Sequence, residues 1–413
     1  MRPMPYKQFS MSALGQASMS VQSLALTAII ARGAGAAALG EYAIFVTFSL
    51  LLLGIQNALI CTPAAVYRSL EQEKSALQRT FNTANYVLCA SVFIFSVTLQ
   101  AAFGGSLHQA LSTSTFFITI LVREYAKASH FANGQQAAPL ISDLVFCVLS
   151  ISSSAGLFML DAAPVTALFW SQSLCAVIAS APLYMQNPPY RACPPRTFLR
   201  TYRPIAKEAA WSLTGVGVTE IHSRGYVYLV AACFGTESLG YTQAIRALFQ
   251  PVGVLVAAWN RVARVKVADF IASGRTTDAG LLLENATKVA LAGTIFYCIA
   301  ILSLSQKLIT LLLGESPPDA WPIALAWAVA TTAVALRGMQ AVGMQAYREF
   351  RMLTIFVAGA ALTSLLGLYG AITSQSLALA ILSSVPGDLG LSAAVWITLR
   401  ARKRSRVKMA STA

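Results

Sequence analysis

The feature that most constrains this chain is its series of long apolar runs. A helix needs about 20 mostly apolar residues, at 1.5 Å each, to cross ~30 Å of hydrocarbon. Twelve runs meet that length: 12–31, 42–62, 85–106, 112–132, 139–160, 164–186, 208–233, 238–259, 289–313, 321–345, 352–374 and 378–400. The first, fourth and seventh carry the most polar residues. Inside lipid every backbone polar group needs an internal partner, so such runs are helices. The ~10-residue alternating strands of a membrane barrel are not seen. Composition agrees, with 56% hydrophobic and 11% charged residues, against about 25% charged in a typical soluble domain. Charge that sparse cannot cover a soluble fold of 413 residues. A soluble enzyme, a disordered chain and a secreted disulfide scaffold are excluded. An all-α polytopic membrane protein remains, with about twelve spans.

Charge sets the orientation. The net charge is +14, and the basic residues sit mostly between apolar runs, which reads as topogenic charge rather than nucleic-acid binding. With the N-terminus in the cytoplasm, 25 of the 30 Lys and Arg fall in inside segments. Arg32 and Lys307 fall outside, and Arg224, Arg246 and Arg337 fall within spans. Both termini are therefore expected in the cytoplasm. Arg2 and Lys7 open the chain with a basic start, but the many spans that follow predict that the first run stays as a helix rather than being cleaved. The seven cysteines are scattered, with no CxxC or His/Cys spacing, so they read as core residues and no metal or cofactor is expected.

An internal repeat divides the chain. "GAAALGEYA" from Gly35 and "GTESLGYTQA" from Gly235 align Gly35, Leu39 and Gly40 with Gly235, Leu239 and Gly240 at an offset of 200. Tyr42 and Tyr241 follow, one residue out of step. Each block lies between the first and second spans of a six-span half, which predicts a parallel repeat. The expected organisation is a six-helix lobe over 1–186, a basic cytoplasmic linker over 187–207, a second six-helix lobe over 208–400 and a basic tail over 401–413. The linker reads as a loop with Pro188, Pro189, Pro194 and Pro195. The tail, with "RARKRSRVK" from Arg400, is expected to sit on anionic lipid.

Four stretches carry a family resemblance: "LGEYAIF" at Leu39, "REYAKASHFANGQ" at Arg123, "SRGYVYLVAACFGTESLGYTQAIRALFQP" over 223–251 and "WPIALAWAVATTAVALRGMQAVGMQAYREF" over 321–350. Their order and span positions resemble the polysaccharide-transporter branch, with its Wzx-type flippases, of the multidrug/oligosaccharidyl-lipid/polysaccharide exporter (MOP) superfamily. The resemblance implies two six-helix lobes around a central cavity and a polyprenyl-diphosphate-linked oligosaccharide as cargo. It implies service to O-antigen (lipopolysaccharide) or exopolysaccharide synthesis in a bacterial inner membrane. Polysaccharide polymerase and export proteins are the implied partners. The chain is short for this branch and shows no extra helix pair of the kind lipid II flippases carry.

Charges inside a span cost at least about 2.5–3.5 kcal/mol each at the bilayer centre and usually face a bundle interior or a wet cavity. Glu220 and Arg224, four apart, either neutralise each other or leave Arg224 in a cavity, while His222 points elsewhere. Arg246 with Gln243 and Gln250, and Arg337 with Gln340, form polar stripes that read as helix packing or as cargo contacts. Arg123, Lys127 and His130 share a face of the fourth span, either snorkelling to headgroups or forming a basic cavity mouth for diphosphate. Arg224, Arg246, Arg337, Arg123 and Lys127 are thus the candidate cargo contacts. Glu220, Asp388 and Asp143 are candidates for ion coupling. Asp388 follows Pro386 and Gly387, where a helix break either forms a cation site or is only a kink. Asp143 reads equally as a cap or surface residue.

No catalytic constellation and no phosphate loop occurs, so a translocase is expected rather than an enzyme. The competing classes are a cation-coupled drug exporter of the same fold and a polytopic glycosyltransferase or polymerase.

Overall fold

A computed structural model describes residues 6–67, 74–160, 165–186, 192–315, 317, 319–347 and 349–412. Every regular element among them is helical. In order they are α1 (Tyr6–Gln56), a π-helical turn (Asn57–Cys61), α2 (Thr62–Tyr67), α3 (Lys74–Ala102), α4 (Leu107–Ala132), α5 (Ala137–Met159) and α6 (Val165–Gln186). There follow α7 (Pro195–Ala247), α8 (Gln250–Ala272), α9 (Thr276–Leu313), α10 (Ala320–Ala346), α11 (Phe350–Thr373), α12 (Leu377–Leu382) and α13 (Val385–Thr412). Each of the twelve expected spans is helical over most of its described length. Among the described residues, eight helical stretches are both long and apolar enough to cross a membrane. The stretch Leu14–Ala64 covers two expected spans. α4, α7 and α8 fall outside the eight, and the first two of these carry the charges considered below.

The repeat blocks mark matching breaks. Gly35 interrupts α1 at φ 85, ψ 173, and Gly235 interrupts α7 at φ 87, ψ 164. That corner of backbone space is open essentially to glycine alone. Each break joins two helical arms with no loop, and Leu39 and Leu239, one turn on, are both buried.

The chain divides into two compact units, Met1–Gly217 and Val218–Ala413. In the first, α1 packs on α5, α5 on α6, α3 on α4 and α4 on α6. In the second, α9 packs on α10, α10 on α8 and α13, and α11 on α12 and α13. The first core is aromatic, with Phe116, Phe117 and Phe169 buried and Phe45 against both Phe117 and Phe169. Small polar residues such as Ser112, Ser150, Ser154 and Thr242 are fully buried between helices. Ile94, Val148, Leu174, Phe296 and Leu366 are exposed instead. Apolar outside and small-polar inside is the arrangement of a helix bundle in lipid.

One segment differs from expectation. The linker is helical from Pro195, and residues 187–191 lie outside the described set. Proline suits a first helical position because its missing N–H would be unpaired there anyway. Phe198 N–H then donates to Pro194 C=O at 2.9 Å. This arm packs on the first unit: Ile205 is buried with Ile60, Leu77 and Phe81, and Tyr202 Oη donates to Leu59 C=O at 2.9 Å. The last span breaks between Leu382 and Val385, just ahead of the Pro-Gly step where a break was expected, so Pro386 falls in the first turn of α13 and costs no hydrogen bond.

Candidate functional site

Three of the expected residues line one cavity in the second unit. Arg246, Arg337 and Asp388 surround a space of about 260 Å³, together with His222, Tyr226, Trp327 and Ser364. Asp388 is about 1% exposed. Its Oδ1 accepts from Arg337 at 2.9 Å and lies 2.8 Å from His222 Nε2. The other ring nitrogen of His222, Nδ1, lies 3.0 Å from Ser364 Oγ. Three helices thus meet on one imidazole: α7 carries it, α11 supplies Ser364 and α13 supplies Asp388.

Close packing makes this meeting possible. A Cβ on Gly387 would stand 2.6 Å from Ala360 O and 2.8 Å from Thr363 Oγ1. Glycine therefore lets α13 touch α11 and brings the next residue, Asp388, to His222. Among the described residues the Pro-Gly step marks a close helix contact rather than an open ring of carbonyls.

Arg246 differs from Arg337. Its guanidinium donates to Tyr226 Oη at 3.0 Å and to Gln243 Oε1 at 3.4 Å. It also stands 5.9 Å from the Tyr226 ring centre and 5.4 Å from that of Trp327. Among the described residues no carboxylate pairs with it. A half-buried guanidinium held by aromatic faces and neutral oxygens keeps its charge available to an anion.

The other expected residues are neutralised. Arg224 pairs with Glu220 on its own helix and does not line the cavity. Arg123 and Lys127 do not snorkel, since both are buried. Arg123 is fully buried, with NH2 2.5 Å from Asp143 Oδ1, NH1 3.2 Å from Glu124 Oε1 and Nε donating to Ser142 Oγ at 3.1 Å. Lys127 Nζ lies 2.8 Å from both Asp143 Oδ1 and Glu124 Oε1. Two cations meet two anions, and the cluster carries no net charge. Asp143 is neither cap nor surface residue: it is buried against α1, where a Cβ on Gly15 would come within 2.9 Å of its Oδ2. His130 bonds the Leu183 carbonyl at 2.9 Å.

His222, Ser364, Tyr226, Trp327 and Glu124 join these sites without having been singled out as candidates. A signal existed for His222. It lies 200 residues after Gln22, the offset of the glycine repeat. Gln22 occupies the matching junction in the first unit, donating at 2.8 Å to Ser150 of α5, which donates at 2.5 Å to Gln172 of α6. One half builds the junction from neutral residues and the other from ionisable ones.

No family model matches the sequence, and no curated protein is detectably similar to it. Solved structures share its fold. A lipid II flippase, MurJ, in an inward closed conformation superposes with a TM-score of 0.79 at 12% identity, covering 94% of this chain and 87% of that one. An inward-facing multidrug resistance MATE family transporter of the MOP superfamily gives 0.69 at 11% identity, covering 96% and 99%. A Vibrio cholerae MATE transporter gives 0.64 at 13% identity, covering 97% and 96%. The fold is therefore the all-helical, two-lobe, twelve-span fold of flippases and multidrug exporters. At such identities the likeness carries the fold alone.

Proposed function

We propose that this chain is a translocase of polyprenyl-diphosphate-linked oligosaccharide precursors for exopolysaccharide or O-antigen. It would work by alternating access in a bacterial inner membrane, with both termini cytoplasmic. The observation that carries the reading is Arg246, a half-buried cation with no carboxylate partner among the described residues, in the same cavity as Arg337. A diphosphate leaving water needs fixed cations, and guanidinium matches its oxygens as a fork. An apolar groove of about 710 Å³ between α8 and α9, walled by Leu255, Val256, Val289 and Phe296, offers room for a hydrocarbon tail. The lipid II flippase likeness supports a lipid-linked cargo.

Among the three acids considered for ion coupling, Asp388 is the one that lines this cavity, where it meets both Arg337 and His222. Asp143 is held by Arg123 and Lys127, and Glu220 by Arg224. Any coupled ligand must bind the inward-open and outward-open states differently, or nothing moves. Polymerase and export proteins are the proposed partners, and anionic lipid is proposed at the tail over 401–413.

The MATE likeness favours a second reading, a cation-coupled exporter of small molecules. Deleting the gene separates the two. The first reading expects loss of surface polysaccharide and accumulation of lipid-linked oligosaccharide, restored by the wild-type protein but not by Arg246→Ala. The second expects sensitivity to toxic cations with polysaccharide unchanged.

A further inference from the structure

We propose that His222 is a proton-binding site whose charge sets the affinity of the second-unit cavity for an anionic head group; the second clause rests on the anionic-cargo reading. Ser364 Oγ has one hydrogen and stands within bonding range of two acceptors, the Ala360 carbonyl at 2.9 Å and His222 Nδ1 at 3.0 Å. An ionised Asp388 can only accept, so the His222 nitrogen that faces it, Nε2, carries hydrogen. If the Ser364 hydroxyl turns to His222 Nδ1, the imidazole is neutral. If it turns to Ala360, it presents a lone pair, and Nδ1 must carry a second hydrogen to bond with it. The same heavy-atom geometry therefore accepts imidazole and imidazolium, with a hydroxyl rotation as the change between them.

The surrounding charges permit both states. Asp388 approaches from α13 and Arg337 from α10, and they balance each other. Ser364 comes from α11. Tyr226 lies one turn along α7, and Arg246, near the end of α7, lines the same cavity. Glu220 and Arg224 pair with each other. A neutral His222 leaves the Asp388 triad uncharged, and an imidazolium adds one positive charge. With Arg337 fixed on Asp388, what this triad can exchange is the proton on His222. The first half builds the matching junction from Gln22, Ser150 and Gln172, none of them a histidine or a carboxylate. An added charge in the cavity favours an anion, and by reciprocity a bound anion favours the proton.

The test uses the full chain in nanodiscs, with farnesyl diphosphate as the probe. The chain has 3 histidines, so ¹⁵N-histidine NMR with His222→Gln for assignment resolves the site. Spectra are recorded from about pH 5 to 8, the range in which histidine serves as a switch, and the His222 ring signals are expected to change across it. We also expect the probe to bind at least about fivefold more tightly at the acid end of that range. His222→Gln should lose the tighter binding at acid pH and keep only the response of the probe's own terminal phosphate, whose second pKa is about 6, while His130→Gln should keep the wild-type response. A His222 signal that does not move, or an equal pH response in His222→Gln, overturns the proposal. If His222 titrates but the probe binds at no pH, the anionic-cargo reading and the linkage fall while the proton site stands. Melting temperatures of both variants identify any loss of folding.

Discussion

His222 Nε2 and Asp388 Oδ1 lie 2.8 Å apart across 166 residues of sequence. Gly387 makes that approach possible, because its missing side chain lets α13 rest on the backbone of α11. Gly387→Ala should force the two helices apart, and overpacking of this kind costs about 1–3 kcal/mol. The expected outcome is a folded protein with a lower melting temperature and little polysaccharide export, read by thermal shift and surface polymer. An unchanged melting temperature would show that the helices are not in this contact.

The paired breaks at Gly35 and Gly235 yield a second prediction. Their φ/ψ values belong to a region that costs a residue with a Cβ about 1–3 kcal/mol. Gly35→Ala and Gly235→Ala should each lower stability by that order, although open space surrounds both positions. A control in open space with ordinary helical geometry, Gly359→Ala, should be neutral or slightly stabilising, since alanine is the better helix former. Denaturation in mild detergent compares the three.

The cluster of Arg123, Lys127, Glu124 and Asp143 should behave as structure rather than as cargo site. Removing one member of a buried ion pair costs about 3–5 kcal/mol, because its partner is left uncompensated. Asp143→Ala should therefore reduce membrane abundance, and Arg123→Met with Asp143→Leu together should be milder than Asp143→Ala alone. Immunoblots of membrane fractions decide it. Normal abundance of Asp143→Ala would return these residues to the search for cargo contacts.

Much of this was legible in sequence, for physical reasons that also mark the limits. Apolar length predicts helices in lipid, so the spans could be read directly. The breaks at Leu248–Phe249 and Ser383–Ser384 each precede a proline, Pro251 and Pro386, which cannot donate the hydrogen bond that would continue the helix; only the second is read as a break in the sequence. Spacing put Arg123 and Lys127 on one face, but their acid partner Asp143 lies beyond the turn into α5, and only the hairpin brings it across. Arg246 was readable from its stripe with Gln243, a contact within one helical turn. His222 was not, because Ser364 and Asp388 are 142 and 166 residues away. Its position relative to Gln22 was visible, but nothing in sequence showed that both sit at a junction of three helices.

Arg246 and Arg224 should separate cleanly. Among the described residues Arg246 has no carboxylate that an incoming anion must displace, whereas Arg224 already has Glu220. Losing a hydrogen bond to a charged group costs about 1.5–3 kcal/mol, which is roughly ten- to a hundredfold in affinity. Arg246→Ala should lose that much export, Arg246→Lys should keep part of it, and Arg224→Ala should be milder. Arg404→Ala in the tail should change little. Each is scored at matched membrane abundance.

The most direct test is translocation in purified proteoliposomes carrying a fluorescent polyprenyl-diphosphate oligosaccharide in one leaflet, with its arrival in the other followed by dithionite quenching. The wild-type chain should move the lipid well above the rate of protein-free vesicles, and Arg246→Ala should fall to that background while remaining folded. Wild-type vesicles that move none of the lipid yet accumulate a cationic dye would contradict the account.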